Sequence, residues 1–125
     1  MTQAIPHASA GQVPLHARAA EKVGTFHSDV VKTVSDLVAN QDVVVVGMAW
    51  NPHVKRARGA LDAAGIAYEY HEIGNYMGQW KPRLAIKIWS GWPTFPQVFV
   101  KQALLGGADE VQQAIESGEL KALLG

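Results

Sequence analysis

The sequence predicts one α/β domain built on a four-stranded mixed sheet with helices on both faces. Three observations carry this. Asp42-Val43-Val44-Val45-Val46-Gly47-Met48 is a β-branched run without alternation, as expected of a strand covered on both sides. Asn51-Pro52 follows, a preferred helix N-cap with proline at the first helical position. Ile66 to Ile73 then alternates like a strand, so strand, helix and strand succeed one another in a length that implies a right-handed crossover and a parallel pair.

The remaining elements follow in order. Residues 1–24 mix Pro, Gly, Ala, His and Ser without a period, so an irregular N-terminal arm is expected, with Ile5 and Val13-Pro14-Leu15 as its apolar points. The domain proper is expected over 25–125. Phe26, Val30, Val31, Val34, Leu37 and Val38 recur at helical spacing, which predicts a helix over 26–39 ended by Asn40. The helix opened by Asn51-Pro52 carries Val54, Ala57, Ala60 and Leu61 on its apolar side and runs to Gly65, a C′ residue. A polar, aromatic loop over 74–81 leads to a helix over 82–89, with Pro82 tolerated in its first turn and Ser90-Gly91-Trp92-Pro93 as its breaker. Pro96–Val100 and Ala103–Leu105 read as a hairpin across Lys101-Gln102, which are not the favoured turn residues. Gly106-Gly107 precede a helix over 108–117, and 119–124 adds a short helical turn. This order of elements is that of the thioredoxin fold.

Composition bounds the function. A chain of 125 residues with 48% hydrophobic content suits one domain with a real core. Eleven lysines and arginines balance 11 aspartates and glutamates, so no bulk charge favours nucleic acid or an anionic membrane surface. No apolar run reaches the roughly 20 residues of a spanning helix, and no charged start with an apolar stretch suggests a secretory signal. The absence of cysteine excludes disulfides, thiolate nucleophiles, zinc–thiolate sites and iron–sulfur ligation by this chain. His53 and His71 have no acidic or histidine partners at ligand spacing and are expected to be surface or packing residues, so no metal site is expected.

From about Asp42 onward the chain resembles the glutaredoxin family, its monothiol branch above all. The resemblance lies in Trp92-Pro93-Thr94-Phe95-Pro96-Gln97-Val98-Phe99-Val100, in Gly106-Gly107-Ala108-Asp109-Glu110 and in Arg83-Leu84-Ala85-Ile86-Lys87. It covers about two-thirds of the chain. The front of the site departs from the family pattern. Asn51-Pro52-His53-Val54 stands where the family carries Cys-Pro-Tyr-Cys or Cys-Gly-Phe-Ser, in a register held by Trp50 before it and Lys55-Arg56-Ala57-Arg58 after it. Asn51 thus falls on the nucleophilic cysteine, Val54 on the resolving one, and Met48 on the family lysine.

The resemblance implies a thioredoxin-like glutaredoxin fold and a degenerate member that cannot perform thiol–disulfide exchange. It also implies a glutathione cradle. Phe95 would pair its backbone with the ligand, presented by a cis Pro96 after Thr94. Gly106 and Gly107 would allow close backbone approach, and the N–H of Ala108 with the carboxylate of Asp109 would hold the γ-glutamyl end. Arg83 and Lys87 would meet the glycine carboxylate, while Met48, Trp50 and Asn51 complete the wall. Replacing the lysine by Met48 removes one charge-assisted contact of about 1.5–3 kcal/mol, one to two powers of ten in affinity.

The expected function is therefore a non-catalytic module that holds glutathione weakly, or an extended peptide or protein strand. It has no catalytic residue, no metal, no Fe–S cluster, no nucleic-acid partner and no membrane. A cytoplasmic setting is the family-level expectation. Two alternatives stand beside it. One is a glutathione-activating enzyme of thioredoxin fold, in which only the Asn51 amide and nearby N–H groups could assist the sulfur. The other is a structural or regulatory interaction domain that uses Trp50, Trp80, Trp89, Trp92 and Tyr76. The bland readings are that Thr94-Phe95-Pro96 and Gly106-Gly107 serve the fold alone, that Lys55, Arg56 and Arg58 are a solvated helix face, and that Asp109 is a charge favourable to a helix N-terminus.

Overall fold

The computed structural model describes residues 13–125. Its elements are α1 (Ala17–Thr25), α2 (Ser28–Asn40), β1 (Val43–Gly47), α3 (Pro52–Ala63), β2 (Glu69–Glu72), α4 (Trp80–Ser90), β3 (Gln97–Val100), β4 (Ala103–Gly106), α5 (Ala108–Glu116) and α6 (Glu119–Leu124). The strands form one mixed sheet in the order β2-β1-β3-β4. β1 runs parallel to β2, with Val44 opposite Glu69, and antiparallel to β3, with Val44 opposite Phe99. β3 and β4 are the antiparallel hairpin.

The unbroken apolar run of β1 has a direct cause. Val44 and Val46 point to a core shared with Val34 and Val38 of α2 and Ile86 of α4. Val43 and Val45 point to the other core, with Leu61 of α3, Val111 and Ala114 of α5 and Leu120. Both faces of the strand are covered, so polar residues have no place on either. Among the described residues, no helix is long and apolar enough to cross a membrane.

Three expectations are corrected. The irregular arm contains helix α1, which runs to Thr25 across the expected boundary at 24/25; Ile5 lies outside the described residues. Ala17-Arg18-Ala19-Ala20-Glu21-Lys22 is rich in strong helix formers, and since α1 buries none of its residues, no apolar stripe on a core-facing side advertises it. The strand expected over 66–73 is paired only over 69–72, because the Ile66 N–H still bonds the Leu61 carbonyl at 3.0 Å as the chain leaves α3. α4 starts at Trp80, which puts Pro82 third in the first turn, where its missing N–H costs no helical bond. The hairpin turn takes Lys101 at φ 50° and Gln102 at φ 72°, the two left-handed residues that a two-residue turn of this hand requires.

Candidate functional site

β1 delivers the chain to the start of α3, and one side chain organises that helix end. Asn51 Oδ1 accepts the N–H of His53 at 2.8 Å and of Val54 at 3.1 Å. The Asn51 carbonyl accepts the Lys55 N–H at 3.1 Å, and Pro52 at the first position has no N–H to satisfy. These first-turn N–H groups are the donors that would stabilise an anion at a helix start. An uncharged amide oxygen already occupies them. Trp50, just before the cap, is 68% exposed and holds a left-handed φ of 66°.

The expected site residues fall into two hollows. Thr94, Phe95, Pro96, Gly107, Ala108 and Asp109 line a groove of about 270 Å³ together with His53, Arg56 and Trp92. Met48, Trp50, Asn51 and Val54 line a second hollow of about 400 Å³ beside Lys55, Arg58, Tyr70 and Glu72. In the groove the Phe95–Pro96 peptide bond is cis. Phe95 buries its ring, and neither its N–H nor its carbonyl has a hydrogen-bond partner among the described residues. Lys87 leans over that ring, its Nζ 5.7 Å from the centroid.

The two glycines of the groove differ in kind. Gly106 sits at φ 137°, and a Cβ there would meet Glu110 Cγ at 2.6 Å, so the fold itself demands glycine. Gly107 has an ordinary φ of −100°, and its N–H is accepted by Glu110 Oε1 at 2.8 Å. A Cβ at Gly107 would come no nearer than 3.5 Å to Glu110, to the Pro96 carbonyl or to Trp92 Nε1. That indole N–H is buried and without a partner among the described residues. Gly107 is small where the fold does not require it.

The cations are used differently from what the resemblance implies. Arg83 lines neither hollow. It is 8% exposed, and its Nη1 donates to the carbonyls of Ile73 at 3.0 Å and Gly78 at 2.8 Å. It fastens the loop before α4. Arg56, read from the sequence as part of a solvated face, reaches across to α5, where its Nη1 donates to Asp109 Oδ1 at 2.9 Å and Gln112 Oε1 at 2.6 Å. Its Nη2 lies 3.2 Å from His53 Nδ1, a contact that the guanidinium can make only as a donor. Asp109 is thus already half of an ion pair. No sequence signal marks this contact, since its partners lie 53 and 56 residues apart.

In the second hollow the Arg58 guanidinium lies 3.8 Å from the Tyr70 ring centroid and its Nε donates to the Tyr68 hydroxyl at 3.4 Å. That hydroxyl raises the Arg58 pKa further above its ordinary value. The Tyr70 hydroxyl donates to Glu72 Oε1 at 2.9 Å. Burial first, and this hydrogen bond second, push its pKa up to about 12. Among the described residues, no three His, Asp or Glu side chains are grouped so as to hold a metal ion.

The sequence model of the glutaredoxin family matches residues 43–105, which spans β1 to β4. The chain belongs to the glutaredoxin family. It is 43% identical over 98 residues to a glutaredoxin-like protein of Dictyostelium discoideum, covering 78% of this chain and 80% of that protein. It is 39% identical over 70 residues to the chloroplastic bifunctional monothiol glutaredoxin-S16 of Arabidopsis thaliana, covering 56% of this chain but only 24% of that longer protein. Its fold matches the buckwheat glutaredoxin–glutathione complex with a TM-score of 0.68 at 22% identity, over 83% of this chain and 91% of that one. Within the family this chain has no cysteine to offer: Asn51 caps α3 and Val54 is buried in its first turn.

Proposed function

We propose that this glutaredoxin-family chain is a non-catalytic binding module that holds glutathione weakly along Phe95–Pro96, through main-chain pairing. The observation that carries the reading is the N–H and carbonyl of Phe95 at the edge of the groove, which have no hydrogen-bond partner among the described residues. Backbone groups need partners, and a peptide ligand laid against them adds a short strand without any sulfur chemistry. Gly107 supports it, because its missing side chain keeps the groove floor open without being needed by the backbone.

Weakness follows from the same residues. Asn51 Oδ1 takes the α3 donors, Met48 carries no charge and Arg83 is engaged by Ile73 and Gly78. Of the charges that line the groove, Arg56 and Asp109 are paired with each other and Glu110 accepts the Gly107 N–H, while Lys87 lies over Phe95 at its edge. A dissociation constant on the order of 1 mM or weaker is expected. The reading includes the cytoplasmic setting that the family resemblance implies.

The test is an NMR titration with reduced glutathione and with S-methylglutathione. Both should bind equally, since the sulfur takes no part, with shifts centred on Thr94–Pro96 and Gly107–Asp109. Gly107→Ala should keep the fold and lose the shifts. No saturable shift up to ~20 mM ligand, a level that detects even millimolar affinity, would overturn the reading.

A further inference from the structure

An apolar face lies away from the groove on α4 and the loop before it. Trp80, Leu84 and Ile88 follow one another at i, i+4 and i+8 and so form a single ridge. Trp80 is 59% exposed, and Leu84 and Ile88 are exposed beside it. Tyr76 at 60% and Met77 at 86% extend the face from the loop. A contiguous apolar patch of this kind on a rigid surface marks an interaction site.

The loop is held in place by construction. Arg83 bonds the carbonyls at both of its ends, Ile73 and Gly78. Asn75 Oδ1 accepts the Met77 N–H at 2.7 Å, and Asn75 and Gly78 form a bridge across the turn. Gly74, at φ 63°, leaves no room for a Cβ, which would lie 2.7 Å from the Gly78 carbonyl oxygen. A buried arginine and a tight turn thus fix two of the largest apolar side chains in solvent. Nothing about the core requires that.

The loop and α4 carry charge of one sign. Residues 73–90 contain no aspartate or glutamate, and Lys81 and Lys87 flank the ridge on either side, while Asp29 and Glu72 lie beyond Gln79 at the base of the loop. Lys81 sits beside Trp80, its Nζ 5.6 Å from the indole centroid, and among the described residues neither Lys81 nor Lys87 has an acidic partner. A second copy docked face to face would bring these lysines together. An acidic partner would meet them.

We infer that the ridge Trp80–Leu84–Ile88, with Tyr76, Met77 and Lys81, docks an acidic amphipathic helix of a partner protein. A ridge at i±4 spacing fits the groove between the same rows of another helix. Apolar anchors at i, i+3, i+4 and i+7 would cover the ridge, and flanking glutamates or aspartates would reach Lys81 and Lys87. The ridge itself takes no part in ligand binding at Phe95, and Lys87 alone borders both.

A displayed library of helical peptides tests it, with apolar anchors held constant and flanking positions randomised, sorted against the full chain. Acidic flanks should be enriched over basic ones by about tenfold, a free-energy preference of one decade. Selected peptides should shift NMR signals of Tyr76–Ile88 and leave Gly107–Asp109, on the far side of the groove, unmoved. Leu84→Glu, at a solvent-exposed position, should weaken them at least ~tenfold with the circular dichroism unchanged, and Lys81→Glu about threefold with a shallower salt dependence. Neutral or basic flanks among the winners, or binders indifferent to Leu84→Glu, would overturn the inference. So would tighter binding to phosphatidylserine vesicles than to any selected peptide, or self-association abolished by Leu84→Glu.

Discussion

Replacing Asn51 by alanine removes every side-chain acceptor at the start of α3. The His53 and Val54 N–H groups both bond Asn51 Oδ1, and with Pro52 ahead of them they are the helix's first donors. His53 is exposed and its N–H can turn to water, whereas Val54 is buried and its N–H has poorer access. The loss should therefore fall in the upper part of the range for cap removal, about 1–2 kcal/mol. For a domain of this size that is about 3–8 °C in Tm. Urea unfolding followed by tryptophan fluorescence measures it, with an unchanged m-value as the sign that only stability moved. Asn51→Asp should stay within ~0.5 kcal/mol of the original, because a carboxylate caps as well. The thiol introduced by Asn51→Cys would meet the same two donors, so it should ionise below the ordinary value of about 8.5. An alanine variant within ~0.3 kcal/mol of the original, or an introduced thiol titrating at its ordinary value, would refute the claim that the His53 and Val54 N–H groups depend on the side chain at position 51.

Other expectations are as specific. Gly106→Ala should cost at least ~1–2 kcal/mol through its left-handed φ and the clash with Glu110, while Gly107→Ala should lie within ~1 kcal/mol of the original in the same urea assay. Arg83→Met leaves two carbonyls without their charged donor and should cost ~2–4 kcal/mol, with hydrogen exchange accelerated over 74–79 before anywhere else. Gln102→Gly relieves a left-handed φ of 72° and should raise stability by ~0.5–1 kcal/mol, read as a higher Tm. Tyr70 titrates near 12 when folded against an unfolded value of 10.0, so its contribution is intact below pH 10 and is lost as the pH rises toward 12. Tyr70→Phe should flatten the stability profile in that window, and an unaltered slope would count against the partial burial and the Glu72 bond that hold the hydroxyl protonated.

Much of the fold was legible because its signals are local. Val43–Val46 shows a doubly covered strand through residue type alone, and Asn51-Pro52 shows a helix start that the coordinates place at those residues. α1 was missed for the complementary reason. It buries nothing, so only the mild helix preference of its alanines marks it. The site was legible as an inventory and less so as a set of contacts. The groove does gather Thr94, Phe95, Pro96, Gly107, Ala108 and Asp109. The motif that suggested Arg83 as a ligand cation could not show it buried against Ile73 and Gly78.

By itself the sequence determined the chemistry that is ruled out and the order in which the chain alternates. A missing thiol is read from residue types alone, and hydrophobic period and capping act within a few residues. Only the tertiary structure decided which charges are free to meet a ligand. Arg56 closes on Asp109, Arg83 closes on two carbonyls, and Lys81, beside an exposed ridge, has no acidic partner among the described residues. Hydrogen-bond partners are set by where distant stretches of chain return in space, and a motif read along the chain carries no record of that return.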